Sequence, residues 1–301
     1  MSRVAIVIVT YNSASEIGAC LDALRNEDAE IVVVDNASRD GTQAEVSRRE
    51  IRLIANEKNL GFAAGVNQGV RASTAPLLLL INPDAVLVRG LEALEGEFQD
   101  PRVGAAGGML TDSAGHPQTG FMARNLPTPT ALIFEVLGIN ALLPGNRVNW
   151  HYRCLGMDPV TPSLVEQPAG AFLMFPRFVW ERLGGFDERF FPVWFEDVDF
   201  CMRIKQAGLH VRYNPAAVAE HTGGHSVGVL PVGVRELYWY GSLLKYAAKH
   251  YLPTAFLSVC GAVSLGAFFR ALREFPRHGL NAVGIYGCLL YTSDAADDYS
   301  V

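Results

Sequence analysis

Pro76-Leu77-Leu78-Leu79-Leu80-Ile81-Asn82-Pro83-Asp84 is the stretch that decides how this chain folds. Leu77–Ile81 is apolar without alternation, the pattern of a strand buried on both faces of a helix-covered parallel sheet. Pro83 has no N–H for a ladder and drives Asn82 towards extended backbone, so the strand stops there. Asp84 therefore arrives at the carboxyl edge of a central strand, where open α/β sheets bind their ligands. A carboxylate in that place can hold a hard divalent cation and, through it, a diphosphate. Alternatively, Asp84 caps a helix around residues 89–98. The tripeptide alone fits both readings, and its neighbours decide between them.

Upstream, strand and helix alternate. Val4–Val9 is an apolar strand ending in Thr10-Tyr11-Asn12. Residues 15–26 place Ile17, Cys20, Leu21 and Leu24 on one helical face, with Ser13 or Ser15 as a cap. Ile31–Val34 is a second strand, ending at Asp35-Asn36, and Arg52–Ala55 a third, followed by Asn56 to Phe62. A helix from about Ala63 to Ala72 completes the repeat. Right-handed crossovers then give a mainly parallel sheet with all four polar tips on one edge. That edge is a cleft. Asp35 there can accept from a ribose hydroxyl or a base N–H, or can simply close the turn through Gly41. Gly61 and Gly65 either let backbone approach a phosphate or sugar, or serve helix initiation and helix–sheet packing. No Gly-x-Gly-x-x-Gly follows the first strand and no Gly-Lys-Ser/Thr occurs in a Walker context, which excludes the dinucleotide and P-loop readings.

A second polar region lies at residues 184–203, where Glu196, Asp197 and Asp199 open a helix that runs to about Ala207 and stops at Gly208. Acids in a first turn complement the helix dipole. Phe186, Phe190, Phe191, Trp194, Phe195 and Phe200 crowd them, and aromatic walls raise a carboxylate towards general-base range. Glu220 to Ser226 reads as a polar loop after the strand His210–Tyr213, with His221 and His225 able to contact a metal or phosphate.

In this order the motifs resemble the inverting family-2 glycosyltransferases of GT-A fold, in their bacterial rhamnosyltransferase-like branch. The resemblance spans roughly residues 3–227. It rests on Val7–Asn12, Val33–Ser38, Asn56–Asn67, Asn82-Pro83-Asp84, Gly184–Phe186, Trp194–Asp197 and His221. It implies an α/β GT-A fold, the nucleotide-diphospho-sugar transferase architecture, with a mainly parallel central sheet flanked by helices. It also implies a nucleotide-sugar donor (dTDP- or UDP-linked), Mn²⁺ or Mg²⁺, and transfer with inversion to a saccharide or polyprenyl-linked acceptor. By the same resemblance Thr10, Tyr11, Asn12, Asp35 and Asn36 line the nucleoside pocket, and Asn59, Gly61 and Asn67 approach the ribose and diphosphate. Asp84 is the metal ligand, Asn82 stands where the family's first motif acid stands, Asp197 is the catalytic base, and His221 completes the metal site. Rhamnose is the sugar this branch suggests, in cell-surface glycan assembly, and a homodimer stays open. A processive synthase lacks its Gln-x-x-Arg-Trp motif here. An inactive GT-A module that binds glycan or a partner protein is the competing reading, against which the joint presence of Asp84, Asp197 and His221 argues.

The expected organisation is a catalytic domain over 1–228, with a nucleotide half to about 100 and an acceptor half from 101. A helical segment follows over 229–287, then a non-native-looking tail over 288–301. Leu252–Phe269 holds no charged residue across 18 positions, and Arg270, Arg273, Arg277 and His278 follow. That length reaches the lower limit for a bilayer span, and the basic cluster suits anionic headgroups. A buried or interfacial helical hairpin is the alternative. The five cysteines lack Cys-x-x-Cys spacing and read as reduced thiols. No signal peptide is expected before Val4, and the chain is expected in the cytoplasm at the inner face of the cell membrane. A net charge of −6 and the lack of a basic, aromatic-interleaved patch exclude nucleic acid as a partner.

Overall fold

The computed structural model describes residues 2–223 and 231–278; His225 and the 288–301 tail lie outside the described residues. In chain order the strands and helices are β1 (Val4–Thr10), α1 (Ile17–Ala23), β2 (Ala29–Asp35), α2 (Thr42–Ser47), β3 (Arg52–Ala55), α3 (Phe62–Ala72), β4 (Leu77–Ile81), β5 (Ala85–Arg89), α4 (Leu91–Glu97) and β6 (Val103–Thr111). Next come β7 (Ala123–Arg124), α5 (Pro129–Val136), α6 (Ile139–Leu142), α7 (Arg147–Tyr152), β8 (Ser163–Val165), β9 (Gln167–Pro168), β10 (Phe172–Pro176), α8 (Arg177–Leu183), α9 (Glu196–Gln206) and β11 (His210–His221). Two long helices follow, α10 (Val232–His250) and α11 (Pro253–His278).

The main sheet runs β3-β2-β1-β4-β10-β6-β11-β5, with β8 also paired to β11. From β3 to β4 it is parallel, so the four tips share one edge as the alternation requires. β4 is buried at every position, which is what its unbroken apolar run demands. β10 then inserts antiparallel between β4 and β6, and Phe172 pairs with Ile81. The start of β10 therefore lies beside the end of β4. The large apolar clusters fill the two faces of this sheet.

Three sequence expectations are corrected. Asp84 does not cap the helix expected around residues 89–98: that helix is present as α4, but β5 intervenes and Gly90 precedes it. The polar Glu220-His221 pair is not in a loop but ends the twelve-residue β11, held there by pairing with β5 and β6. Neither Ser13 nor Ser15 caps α1 through its side chain; the Ser13 carbonyl accepts from Glu16 N and Ile17 N instead.

α10 and α11 pack on α5 and on residues 190–195 through Leu132, Val136, Phe190, Phe195, Leu243, Tyr246, Val259 and Val263. Only a third of the apolar window Pro253–Arg273 is buried, although it is long and apolar enough to cross a membrane. Leu257, Leu265, Phe268, Phe269, Leu272 and Phe275 face outward. Arg270 does not: its guanidinium donates to Val136 O and covers the Tyr240 ring.

Candidate active site

The tips of β1 and β2 are locked to each other by side chains. Thr10 Oγ1 donates to Asp35 Oδ1 at 2.8 Å, Ser38 N and Gln43 Nε2 donate to Oδ2 at 3.0 and 2.7 Å, and the Ser38 hydroxyl also bonds Oδ1. The Asp35 carboxylate is thus fully buried and its acceptor positions are taken. Asn12 (φ 51°) receives Arg39 N on Oδ1 and gives its own N–H to Ser38 Oγ. Ala37, at φ 62°, is a strained alanine in the same tip. Tyr11 stays half-exposed at the edge.

Asn36 carries this frame to the next tip. It donates to Gly61 O at 3.0 Å and accepts from Asn56 Nδ2 and Leu60 N. Asn59 Oδ1 accepts from Gly61 N at 2.8 Å. Gly61 sits at φ +88°, and a Cβ there would lie 2.9 Å from the Phe191 ring. Its lack of a side chain lets the 191–192 segment close over α3, where Phe62 N donates to Pro192 O. Gly65 likewise touches Val9, so both glycines serve packing. Asn67 is not brought to the edge. It is buried one and a half turns into α3, and its amide bonds Phe186 N, Phe186 O, Trp180 Nε1 and Glu188. Three of these four hydrogen bonds fasten the 184–188 loop and the fourth holds α8, which leaves none for a ribose.

At the β4 tip Asn82 N donates to Ala171 O at 3.1 Å, and the buried Cys20 thiol points at Asn82 O. Burial pushes that thiol up to about 12, which leaves it an unreactive core group. Asp84 Oδ1 lies 3.4 Å from His221 Nε2. Gln118 fixes the histidine: its Nε2 donates to His221 O at 2.7 Å, and its Oε1 faces Nδ1 at 3.3 Å. In that arrangement Nδ1 is the donor, so a neutral ring presents the Nε2 lone pair to the Asp84 carboxylate. Two acceptors face each other there, and a cation or a proton between them resolves the repulsion. Phe121 stacks flat on the His221 ring, 5.2 Å between centroids. Among the described residues no third His, Cys, Asp or Glu joins the pair. Two such side chains could hold a divalent cation only if phosphate oxygens and water filled its other positions.

Asp197 stands next to this tip. Gly170, the residue before Ala171, gives its N–H to Asp197 Oδ2 at 2.9 Å; Gln167 Nε2 adds a second bond at 3.0 Å, and Val198 N bonds Oδ1 at 2.8 Å. Burial raises the Asp197 carboxyl above the ordinary aspartate range, while the Gly170 and Val198 amides and the nearby Arg124 cation oppose the rise. Glu196 is pushed up further, first by burial and then by Asp197, and its Oε2 has no partner. Asp199 behaves oppositely. It is buried against Arg203, Lys249 and His250, whose hydrogen bonds and charge outweigh burial and hold it low. A carboxylate so occupied ties α9 to α10 and has no free position for an acceptor proton.

The aromatic segment divides by function. Phe186 and Phe200 stack at 4.4 Å inside the core with Phe175, so they are not walls of the site. Trp194 (φ 79°) and Phe195 (φ 69°) are consecutive left-handed residues that turn the chain into α9. Bulky residues in that region cost of order 1–3 kcal/mol each. Ser242 on α10 donates to Val193 O, and Trp239 and Tyr246 pack on Phe195, which holds the turn in place. Sequence reasoning missed Gln118, Phe121, Arg124, Gln167 and Gly170. The pairing of β7 with β9 and of β10 with β4 brings in Arg124, Gln167 and Gly170, and contacts with His221 bring in Gln118 and Phe121; no local pattern announces either.

With this geometry in hand, the comparisons with known proteins are direct. Residues 5–158 match the family described as Glycosyl transferase family 2. The chain belongs to that family. It is 30% identical over 267 residues to the N-acetylglucosaminyl-diphospho-decaprenol L-rhamnosyltransferase of Mycobacterium tuberculosis, covering 81% of this chain and 84% of that one. The low-salt glycan biosynthesis hexosyltransferase Agl10 of Haloferax volcanii is 26% identical, with 70% and 64% covered. Among solved structures, the mannosyltransferase PcManGT from Pyrobaculum calidifontis, in complex with GDP-Man and Mn²⁺, superposes with a TM-score of 0.56 at 20% identity, over 99% of this chain and 81% of that one. At that identity the likeness speaks for the GT-A fold alone. This family-2 glycosyltransferase is thus rhamnosyltransferase-like in sequence and GT-A in architecture.

Proposed function

We propose that this glycosyltransferase moves a sugar, rhamnose first among candidates, from a dTDP- or UDP-linked donor to a hydroxyl of a saccharide or polyprenyl-linked saccharide, with inversion. The observation that carries the reading is the hydrogen-bonded run Asn82–Ala171–Gly170–Asp197, which sets a carboxylate of raised pKa beside the Asp84–His221 pair. A base poised above the usual aspartate range is suited to take a proton from an alcohol as it attacks. In one in-line displacement the acceptor oxygen bonds the anomeric carbon and its proton passes to Asp197. The bond to the diphosphate oxygen breaks with its electron pair.

Asp84 and His221 would hold Mn²⁺ or Mg²⁺. When bound, such an ion supplies electrophilic stabilisation of the diphosphate. Tyr11, Asn12 and the Asn59–Gly61 turn form the edge offered to the nucleoside. Asp35 and Asn36 act by fixing Thr10, Ser38 and the Gly61 turn, and Asn82 shapes the bend that presents Asp84.

The parallel relatives, one named for a decaprenol-linked compound, support a lipid-linked acceptor and a place at the inner membrane face in cell-surface glycan assembly. The outward apolar stripe of α11 suits an in-plane membrane contact, because its other face is committed to α5 and α10. Asp197→Asn tests the central claim. Nucleoside diphosphate affinity with Mn²⁺ should be retained while turnover falls by about 10²–10⁴. Near-parent turnover in that variant would remove Asp197 as the base.

A further inference from the structure

The donor site does not account for a hollow of about 250 Å³ between the start of α5 and α7. Buried Leu126, Ala131 and Tyr152 line its floor together with Val148, and exposed Arg147 and Thr130 stand at its mouth. A series of contacts ties it to the base. Arg124 pairs with Gln167 between β7 and β9, and Gln167 bonds Asp197. The Arg124 guanidinium uses Nε–H on Gly120 O and lies over the rings of Phe121 and Tyr152, at 5.7 and 6.0 Å. Tyr152 is therefore a wall shared by the hollow and the catalytic side. Leu126 follows Arg124 by two residues, about 7 Å at the rise of an extended chain.

We infer that this hollow seats the first isoprenyl segment of a polyprenyl-diphosphate-linked acceptor, with its phosphates between Arg124 and Arg147 and its sugar hydroxyl at Asp197. The inference rests on the glycosyl-transfer reading and adds where the lipid goes. Charge order is the main argument. Carboxylate, guanidinium and apolar hollow succeed one another through the contacts Asp197–Gln167–Arg124–Tyr152, and the occupant must present hydroxyl, phosphate and hydrocarbon in that order. Guanidinium groups match phosphate oxygens by paired hydrogen bonds, which a lone hydroxyl acceptor would not use. The volume is below the roughly 300–1,000 Å³ of a site enclosing a whole small ligand, so only a short stretch of chain enters. The remainder has a path outward. Leu142, Leu143 and Trp150 on the same helical insert are 79%, 62% and 52% exposed. Tyr251, at the corner of α10 and α11, donates to Pro127 O, between the hollow's Leu126 and Thr128.

The test uses the full chain with saturating nucleoside diphosphate and Mn²⁺, so that the donor site is filled. Farnesyl diphosphate is titrated by calorimetry, beside inorganic pyrophosphate and farnesol. Farnesyl diphosphate should bind, and each half-molecule should bind at least about tenfold more weakly. Thr130→Trp, an exposed position at the mouth, should weaken it by about tenfold, and Val148→Trp similarly. Parent affinity in both tryptophan variants, or pyrophosphate binding as well as farnesyl diphosphate, overturns the inference. Failure of the donor reading would appear separately, as no nucleoside diphosphate binding in the parent protein.

Discussion

Replacing Gly170 by alanine should impair turnover without touching the donor site. A Cβ on Gly170 would lie 3.0 Å from Asp197 Cβ and 3.1 Å from Oδ2, and ordinary contact begins at 3.4 Å. The carboxylate must retreat by about 0.4 Å or the β10 approach must open, since Gly170 itself is held by its bond to Oδ2. A misplacement of about 1 Å can cost 10²-fold in rate, so a shift of this size predicts a fall in kcat of roughly 6-fold. A second effect has a definite sign. The Gly170 N–H is the foremost influence opposing the burial-driven rise of Asp197. Stretching that hydrogen bond raises the carboxyl further, so the acid limb of the kcat–pH profile should move to higher pH. Steady-state turnover across pH, with nucleoside diphosphate affinity measured alongside, reads both. A variant with parent kcat and an unmoved acid limb would refute the claim that Gly170 positions the base.

Three further outcomes follow from the same geometry. Asp84→Ala should abolish the part of nucleoside diphosphate affinity that EDTA removes from the parent, and equal EDTA sensitivity in both proteins would take Asp84 out of the metal site. Glu196→Gln should stabilise the fold above pH 4.5, where the parent's folded state holds a proton that its unfolded state has lost. The difference should grow by about 1.4 kcal/mol per pH unit until the buried group itself ionises, and a pH-independent difference in denaturant midpoint would contradict the burial argument. Combined serine substitutions at Phe268, Phe269 and Leu272, all exposed, should release the protein from anionic vesicles with its thermal stability retained; undiminished sedimentation with vesicles would deny that face a membrane role.

How far the sequence is legible depends on the range of the contacts involved. β1 to β4 and their shared edge follow from local apolar runs and the turn residues that end them, and so do the positions of Asp35 and Asp84. β5 escapes because Ala85–Arg89 directly follows a proline turn and has no partner in its own neighbourhood; it pairs with β11. The same pairing turns Glu220-His221 from apparent loop into strand. Asn67 misleads because a buried asparagine fastening a loop and an exposed one awaiting a ribose look alike in sequence. Asp199 and Asp197 are separable only once Lys249 and His250, some fifty residues later, choose one of them. Gly170 shows no motif at all, since its importance is a close approach made by Asp197 in the first turn of α9.

The outer placement of β5 also bears on how the chain is born. Thr222, 138 residues downstream, donates to Asp84 O, and β11 must dock before β5 has any strand partner. At synthesis rates of about 5–20 residues per second, the turn bearing Asp84 waits roughly 7–28 s for that seam to become available. During the wait β4, buried on both faces in the finished sheet, lacks β10 along one side. A nascent chain with this topology cannot complete the sheet around β1–β5 first and add the rest afterwards. It exposes a sticky, unpaired apolar edge for as long as the ribosome takes to reach residue 176, which makes slow translation or a premature stop before β10 a hazard for aggregation rather than a source of a smaller working fragment.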